Sequence, residues 1–488
     1  MPFIAFALWP FISLSFFRAL PLGKAIVWSL VLGYLFLPEN FEVDFPGIPP
    51  INKTSLSLFL LPFGVYIFAS TRPTRDATRN ANRLSGVILF SLVALMLLRP
   101  VLTVFNNRDP IYFTQNSLSA LGLWDIVNMT WSNLLVLVPF LVAWRYLATP
   151  KDHRVILHVL VLTGLIYSLL MLVELRLSPQ LHRWVYGFHQ HSFAQHFRGG
   201  GYRPKVFLDH GLGVGFFIYS TVVAALWMWR SPAVQNRRFY GFAGLWLLGI
   251  LALSSNLGAM VLALLALAVF CLPKRMQIWF AFIVAMAFLL YPVVRQSGIF
   301  PLERVVSLAT AVNEERASSL VFRLNNEDQL LARAAEKPLF GWGGWGRARV
   351  YDAQGRDLSV TDGIWVIVLG STGWLGYLSF FGLLAGPVLL LGRVRRRKDI
   401  PPETIALAII MAGNFIYMVP NSTLSPVGWM IAGALAGFVQ FDRSQKQAET
   451  AEETDPSPQS RLQYSRFPPR APATPDETPV KRSLRTSG

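Results

Sequence analysis

RVILHVLVLTGLIYSLLMLVE, from Arg154 to Glu174, is apolar on every side of a helix and shows no amphipathic period. Its length is close to the roughly 20 residues that carry an α-helix across a bilayer. A chain that repeats such runs must cross as helices, because lipid offers no partner for an open backbone amide or carbonyl. Runs of this kind recur near 2–17, 25–38, 55–71, 85–105, 132–148, 206–229, 239–254, 257–272, 276–294, 363–392, 403–420 and 423–440. The expected fold is an all-α polytopic membrane protein of about 12–13 transmembrane helices, the first two short enough to form one re-entrant hairpin.

Composition agrees. The 488 residues are 53% hydrophobic and 15% charged, with a mean hydropathy of +0.43; a soluble domain carries about 25% charge. The N-terminus has no basic segment followed by a small-residue cleavage site, so no removable signal peptide is expected. Cys271 is the only cysteine, which excludes an intramolecular disulfide and a thiolate metal site. A net charge of +17 would suggest nucleic acid in a soluble protein. Here much of it lies in short connections, where it sets topology and meets anionic lipid, so nucleic acid is not an expected partner.

Those basic connections are Arg72 to Arg83, Lys151 with Arg154, Arg230 to Arg238, Lys274 with Arg275, and Arg393 to Lys398. All fall on one side if every span crosses once, and that side should be cytoplasmic. The C-terminus is then inside. Residues 1–441 form the membrane domain, and 442–488, rich in Pro, Ser, Thr, Gln and charge, should be a disordered cytoplasmic tail. The other side carries the connections 39–54, 106–131, 175–205 and 295–362, the last by far the largest.

Three groups on that outer side could carry chemistry. The first is RWVYGFHQHSFAQHFRGGGYRPKVFLDHG, Arg183 to Gly211, which holds Arg198, Arg203, Lys205, Asp209 and His210 among aromatic rings and glycines. Arginine forks onto phosphate oxygens at any working pH, and rings stack on sugars. The same composition would also serve an interfacial loop with snorkelling arginines and belt aromatics. Asp209 and His210 are expected about one turn inside a span, where ionisable residues are functional by default. His189, His191 and His196 offer a loose zinc set; His158, inside a span, reads as a structural residue. The second group is Arg316 to Asp362, with Arg316, Arg323, Arg333, Arg347 and Arg349 and the pair Trp342 and Trp345 set in glycines. A helix from about Ser319 to Lys337 should end at Pro338 and the following glycine run. The tryptophans suggest a sugar platform or a lid edge, against the plainer reading of a solvated amphipathic helix. The third is Glu42 and Asp44, an acidic pair in the first outer connection.

SSLVFRLNNEDQLLARAAEKPLFGWGGWGR (318–347), followed by TDGIWVIVLGSTGWLGYLSFFGLL (361–384), resembles the O-antigen ligase/polymerase family. In that family an Arg-bearing helix leads to a P-L-x-G-x-G turn and later to a T-G-hydrophobic-hydrophobic-G ending, here Thr372 to Gly376. The family's histidine position falls on Asp362, and Ser255-Asn256 stands where the family has Arg-Gly. The resemblance covers roughly residues 200–392.

It implies a GT-C-like fold and metal-independent transfer or polymerisation of a glycan from an undecaprenyl-diphosphate-linked donor, with no cofactor. The place would be the periplasmic face of a bacterial inner membrane, in cell-surface polysaccharide synthesis (O-antigen or exopolysaccharide). The acceptor would be lipid A core, another glycan or a protein. Arg203 and Arg323 would face the diphosphate, with Arg198, Lys205, Arg316, Trp342 and Trp345 binding substrate. Asp362 or His210 would take the place of the missing imidazole; a changed base, a different acceptor and lost catalysis all stay open. Two rivals remain. A GT-C enzyme using a lipid-monophosphate sugar would depend on Glu42 and Asp44. A lipid-linked glycan transporter or flippase would need charges deep in spans and two similar halves.

Overall fold

The computed structural model describes residues 1–441 except 46–47, 69–82, 191–196, 199–200, 300–303, 305, 308–309, 312–313, 395–398 and 423. The described chain is all-α, and seven of its helices are long and apolar enough to cross a membrane, with five shorter apolar helices beside them. In order, the helices are α1 (Pro2–Ala19), α2 (Leu22–Phe36), α3 (Lys53–Phe68), α4 (Arg83–Phe105), α5 (Leu123–Tyr146), α6 (Pro150–Leu177) and the short α7 (Leu181–Tyr186). Then come α8 (Gly211–Arg230), α9 (Arg237–Leu253), α10 (Leu257–Phe270), α11 (Lys274–Gln296), α12 (Glu314–Ala335), α13 (Ile364–Val394), α14 (Pro402–Met418) and α15 (Pro426–Gln440). Among the described residues, strand is confined to three two-stranded antiparallel hairpins in the connections 42–52, 111–118 and 197–202. The tail call, 442–488, lies outside the described residues.

Burial sorts the helices. α8, α14 and α15 bury nearly every side chain and form the centre. The outer helices leave Phe3, Phe11, Phe90, Leu98, Val261 and Ile283 exposed, an apolar exterior suited to lipid rather than water. Small residues let backbones close up at the centre. A methyl on Gly433 would lie 2.1 Å from the Phe140 carbonyl oxygen, and one on Gly437 2.4 Å from that of Trp144, so α15 packs directly on α5.

The two ends of the bundle differ. At one end the α14 residue Glu403 accepts from Arg154 at 3.2 Å and Ser231 at 2.6 Å, and Lys274 pairs with Asp399 at 2.9 Å. The basic connections around 151–154, 230–231 and 274 therefore do share one end. The exposed thiol of Cys271 sits beside them. The opposite end gathers the longer connections and the cavities.

Three expectations change. α5 begins at Leu123, not near 132, because the polar turns between Asp125 and Asn133 are helical too. α8 begins at Gly211, so Asp209 and His210 precede the helix rather than lie inside it. Charge inside spans goes beyond His158, since Arg99 in α4 and Glu174 in α6 are both buried.

Candidate functional site

On α12, Leu320, Arg323, Leu324 and Glu327 recur at helical spacing and form one stripe. That stripe, with Phe288 and Tyr291 of α11, Phe415 and Ile416 of α14, Val419, Pro420 and Asp362, lines an apolar cavity of about 500 Å³. Asp362 is brought there by its neighbours. Val360 N–H donates to Asn326 of α12 at 2.9 Å, and Ile364 N–H donates to the Asn421 carbonyl at 3.0 Å. Arg323 Nε then lies 3.3 Å from Asp362 Oδ2, both side chains partly open to the cavity mouth.

Glu327 lies deeper. Its carboxylate is 3.6 Å from Arg295 Nε and accepts from the Tyr291 hydroxyl at 3.4 Å, while Arg295 also pairs with Asp328 at 2.7 Å. Burial pushes the Glu327 carboxyl up to about 7, with Arg295 and Tyr291 pulling the other way. A carboxyl that titrates near neutrality in a cavity wall can take a proton and give it back. It stands one turn beyond Arg323, yet an acid inside a helix of ordinary charged residues gives no sequence signal of that burial.

A second cavity, of about 300 Å³, is lined in part by Leu424, Ser425 and Pro426. Here Tyr34, Glu39, Lys53, Asp209 and His210 meet. Lys53 Nζ donates to Glu39 at 2.8 Å and to the Phe207 carbonyl at 3.1 Å. His210 caps α8, its Nδ1 accepting from Leu212 N–H at 3.1 Å. Beneath, the buried Glu174 carboxylate accepts the N–H groups of Lys205 and Val206 at 2.8 Å each and of Leu181 at 3.1 Å. That holds the 204–210 segment in place. The Lys205 amine is buried without a hydrogen-bond partner among the described residues, and burial lowers its pKa against the pull of Glu174 and Asp209. Arg203 reaches the turn that follows α9, donating to the Ser255 carbonyl at 3.3 Å. The sequence residues around 203–210 thus gather in one region, apart from the Arg323–Asp362 pair.

The glycine run 341–346 does not form an open platform. Its backbone docks on α13 where that helix breaks at Gly373, whose φ of 63° lies outside the helical range. Trp342 and Gly343 N–H donate to the carbonyls of Gly370 and Ser371 at 2.9 and 2.8 Å, and Trp374 N–H donates to Pro338 at 2.7 Å. The broken backbone is satisfied by protein instead of lipid. The two motif segments, 338–343 and 370–375, therefore meet backbone to backbone.

Trp342 is buried, with the Arg333 guanidinium 3.4 Å over its ring and the Lys337 amine 4.6 Å away. Its expected role as a sugar platform is corrected by this cover: the ring packs the loop. Trp345 does keep an open ring, tied by its Nε1 to Asp125 at 2.6 Å. Arg347 is also structural. It is buried and donates to the carbonyls of Ser119, Asp109 and Trp342, stapling the 337–363 connection to the 106–122 connection. Trp345 lines a third cavity, of about 400 Å³, with Arg99, Asp125, Asn128, Gly343 and Thr372.

Glu42 and Asp44 alternate on one face of the 42–45 strand and are exposed. Their neighbour Glu39, not this pair, reaches the second cavity. The side chains of Arg198 and Arg316, and His191 and His196, lie outside the described residues. Among the described residues no group of three or more His, Cys, Asp or Glu is placed to hold a metal ion. No protein-family model matches the chain, and no curated protein matches it.

Proposed function

We propose that this multi-pass membrane protein is a glycosyltransferase of the O-antigen ligase/polymerase type. It would move a glycan from an undecaprenyl-diphosphate-linked donor to lipid A core, another glycan or a protein at the periplasmic face of a bacterial inner membrane. The observation that carries this is the Arg323–Asp362 contact at the mouth of an apolar cavity. A guanidinium beside an apolar cavity suits a diphosphate whose tail is hydrocarbon. The basic connections gathered at the far end of the bundle support a periplasmic cavity mouth and a cytoplasmic C-terminus.

In this reading the acceptor hydroxyl loses its proton to the ionised Glu327 carboxylate as its oxygen attacks the anomeric carbon. The bond from that carbon to the diphosphate oxygen breaks, and the electron pair leaves with the lipid diphosphate. Arg323 stabilises the charge that develops there, and Asp362 orients the guanidinium. Glu327 takes the base role that the family resemblance would give to Asp362 or His210, because it is the more buried acid and burial pushes its carboxyl up to about 7.

The test uses purified protein, undecaprenyl-diphosphate oligosaccharide, several acceptors and a chelator, with release of undecaprenyl diphosphate as the readout. Wild type should release it in chelator. Arg323→Gln and Glu327→Gln should each slow release about a hundredfold or more, and Asp362→Asn less. Equal release by all forms would remove the site; no release by any form would leave the transporter reading, which the charge buried at Arg99 favours, as the better one.

A further inference from the structure

We infer that the cavity between α4, α5 and the 341–346 turn is a second binding site, for a carboxylate-bearing sugar residue of an acidic glycan. Its lining, which includes Arg99, Asp125, Gly343, Trp345 and Thr372, shares no residue with the cavity of Arg323. The inference stands apart from the transferase reading. At about 400 Å³ the space falls within the range of small-ligand pockets, roughly 300–1,000 Å³.

Arg99 is the first reason. It is only 6% exposed, on a helix long and apolar enough to cross a membrane. One donor is used: Nη2 reaches Asn133 Oδ1 at 2.6 Å, and Asn133 is itself fixed by donating to the Met96 carbonyl at 2.8 Å. The buried Nε has no acceptor, and no carboxylate among the described residues pairs with the guanidinium. A buried cation without an anion is costly unless a ligand supplies one. The aliphatic stem of Arg99 packs against Gly376, just after the break of α13, which holds the guanidinium in place.

Trp345 is the second. It is 70% exposed, yet its ring is not loose, because Nε1 donates to Asp125 Oδ1. The other Asp125 oxygen accepts from Gly122 N–H at 2.7 Å, so this carboxylate, the one acid in the cavity wall, already has donors on both oxygens. A fixed, open indole face is a stacking surface for a pyranose ring. A forked donor and a flat ring in one cavity of this size select a sugar that carries its negative charge on a planar carboxylate.

The experiment uses full-length protein in phosphatidylcholine nanodiscs and measures the dissociation constant of a fluorescent glucuronate tetrasaccharide, with a neutral glucose tetrasaccharide as control. The acidic oligosaccharide should bind saturably, at least tenfold tighter than the neutral one, and at least tenfold weaker to Arg99→Gln and to Trp345→Ala. Trp345 is exposed, so its variant decides the matter even if Arg99→Gln does not fold. Equal binding of the two oligosaccharides, unchanged binding by Trp345→Ala, or no saturable binding overturns the inference. So does retention of phosphatidylglycerol by wild type but not by Arg99→Gln when the oligosaccharide fails to displace it, which would make the cavity a lipid-headgroup site.

Discussion

A methyl group on Gly341 would lie 2.6 Å from the backbone nitrogen of Gly373, and both residues hold a positive φ, 69° and 63°. The loop and the broken helix therefore meet through two bare backbones. Alanine at either position would bring left-handed strain of roughly 1–2 kcal/mol and a clash with backbone that has no side chain to swing away. Gly341→Ala and Gly373→Ala should each lower stability by about 3 kcal/mol, read as a fall in thermal midpoint in detergent.

The pH dependence of stability should show Glu327. Its folded pKa is raised from 4.5 to about 7, so the folded chain holds a proton that the unfolded chain has released between those values. Stability from this group is full below pH 4.5 and declines as pH rises toward 7. Glu327→Gln removes the decline. The difference in thermal midpoint, variant minus wild type, should grow from pH 5 to pH 8; a difference that stays flat or shrinks would show that the carboxyl is not held protonated.

Glu174 accepts three backbone N–H groups with one carboxylate. Glu174→Ala leaves those donors buried without an acceptor, at about 1–3 kcal/mol each. The 204–210 segment should loosen. Trypsin cleavage after Lys205, which is fully buried in the folded chain, should be at least about tenfold faster in the variant than in wild type.

The two tryptophans of the glycine run should separate cleanly. Trp342→Ala removes a buried indole and should cost about 3–5 kcal/mol. Trp345→Ala removes an exposed one and should cost less than about 1 kcal/mol. Thermal unfolding of the two variants side by side gives the answer, and equal losses would contradict the burial described for Trp342.

The helices were legible because a run such as 154–174 has one stable state in lipid, and the apolar runs alone locate it. Arg323 and Asp362 are named through the family resemblance, and the structure brings their side chains within 3.3 Å of each other. Glu327 and Arg99 were not legible. Each is an ordinary charged residue in its stretch, and what sets it apart is how much of it the neighbouring helices cover. Trp342 and Trp345 read alike because glycines flank both; only the position of Arg333 over one ring distinguishes them. His210 was placed inside a span because hydropathy does not mark where the backbone starts to coil, whereas its Nδ1 marks the first turn.

One thiol in the whole chain stands exposed at the end of α10, beside the Lys274–Asp399 pair and far from the cavities. It works as a built-in compass needle. A maleimide that does not pass through bilayers, added to sealed vesicles of known polarity, labels every molecule at one atom or at none. The answer says which compartment the basic end faces, and so which one the cavities open to, without a single substitution.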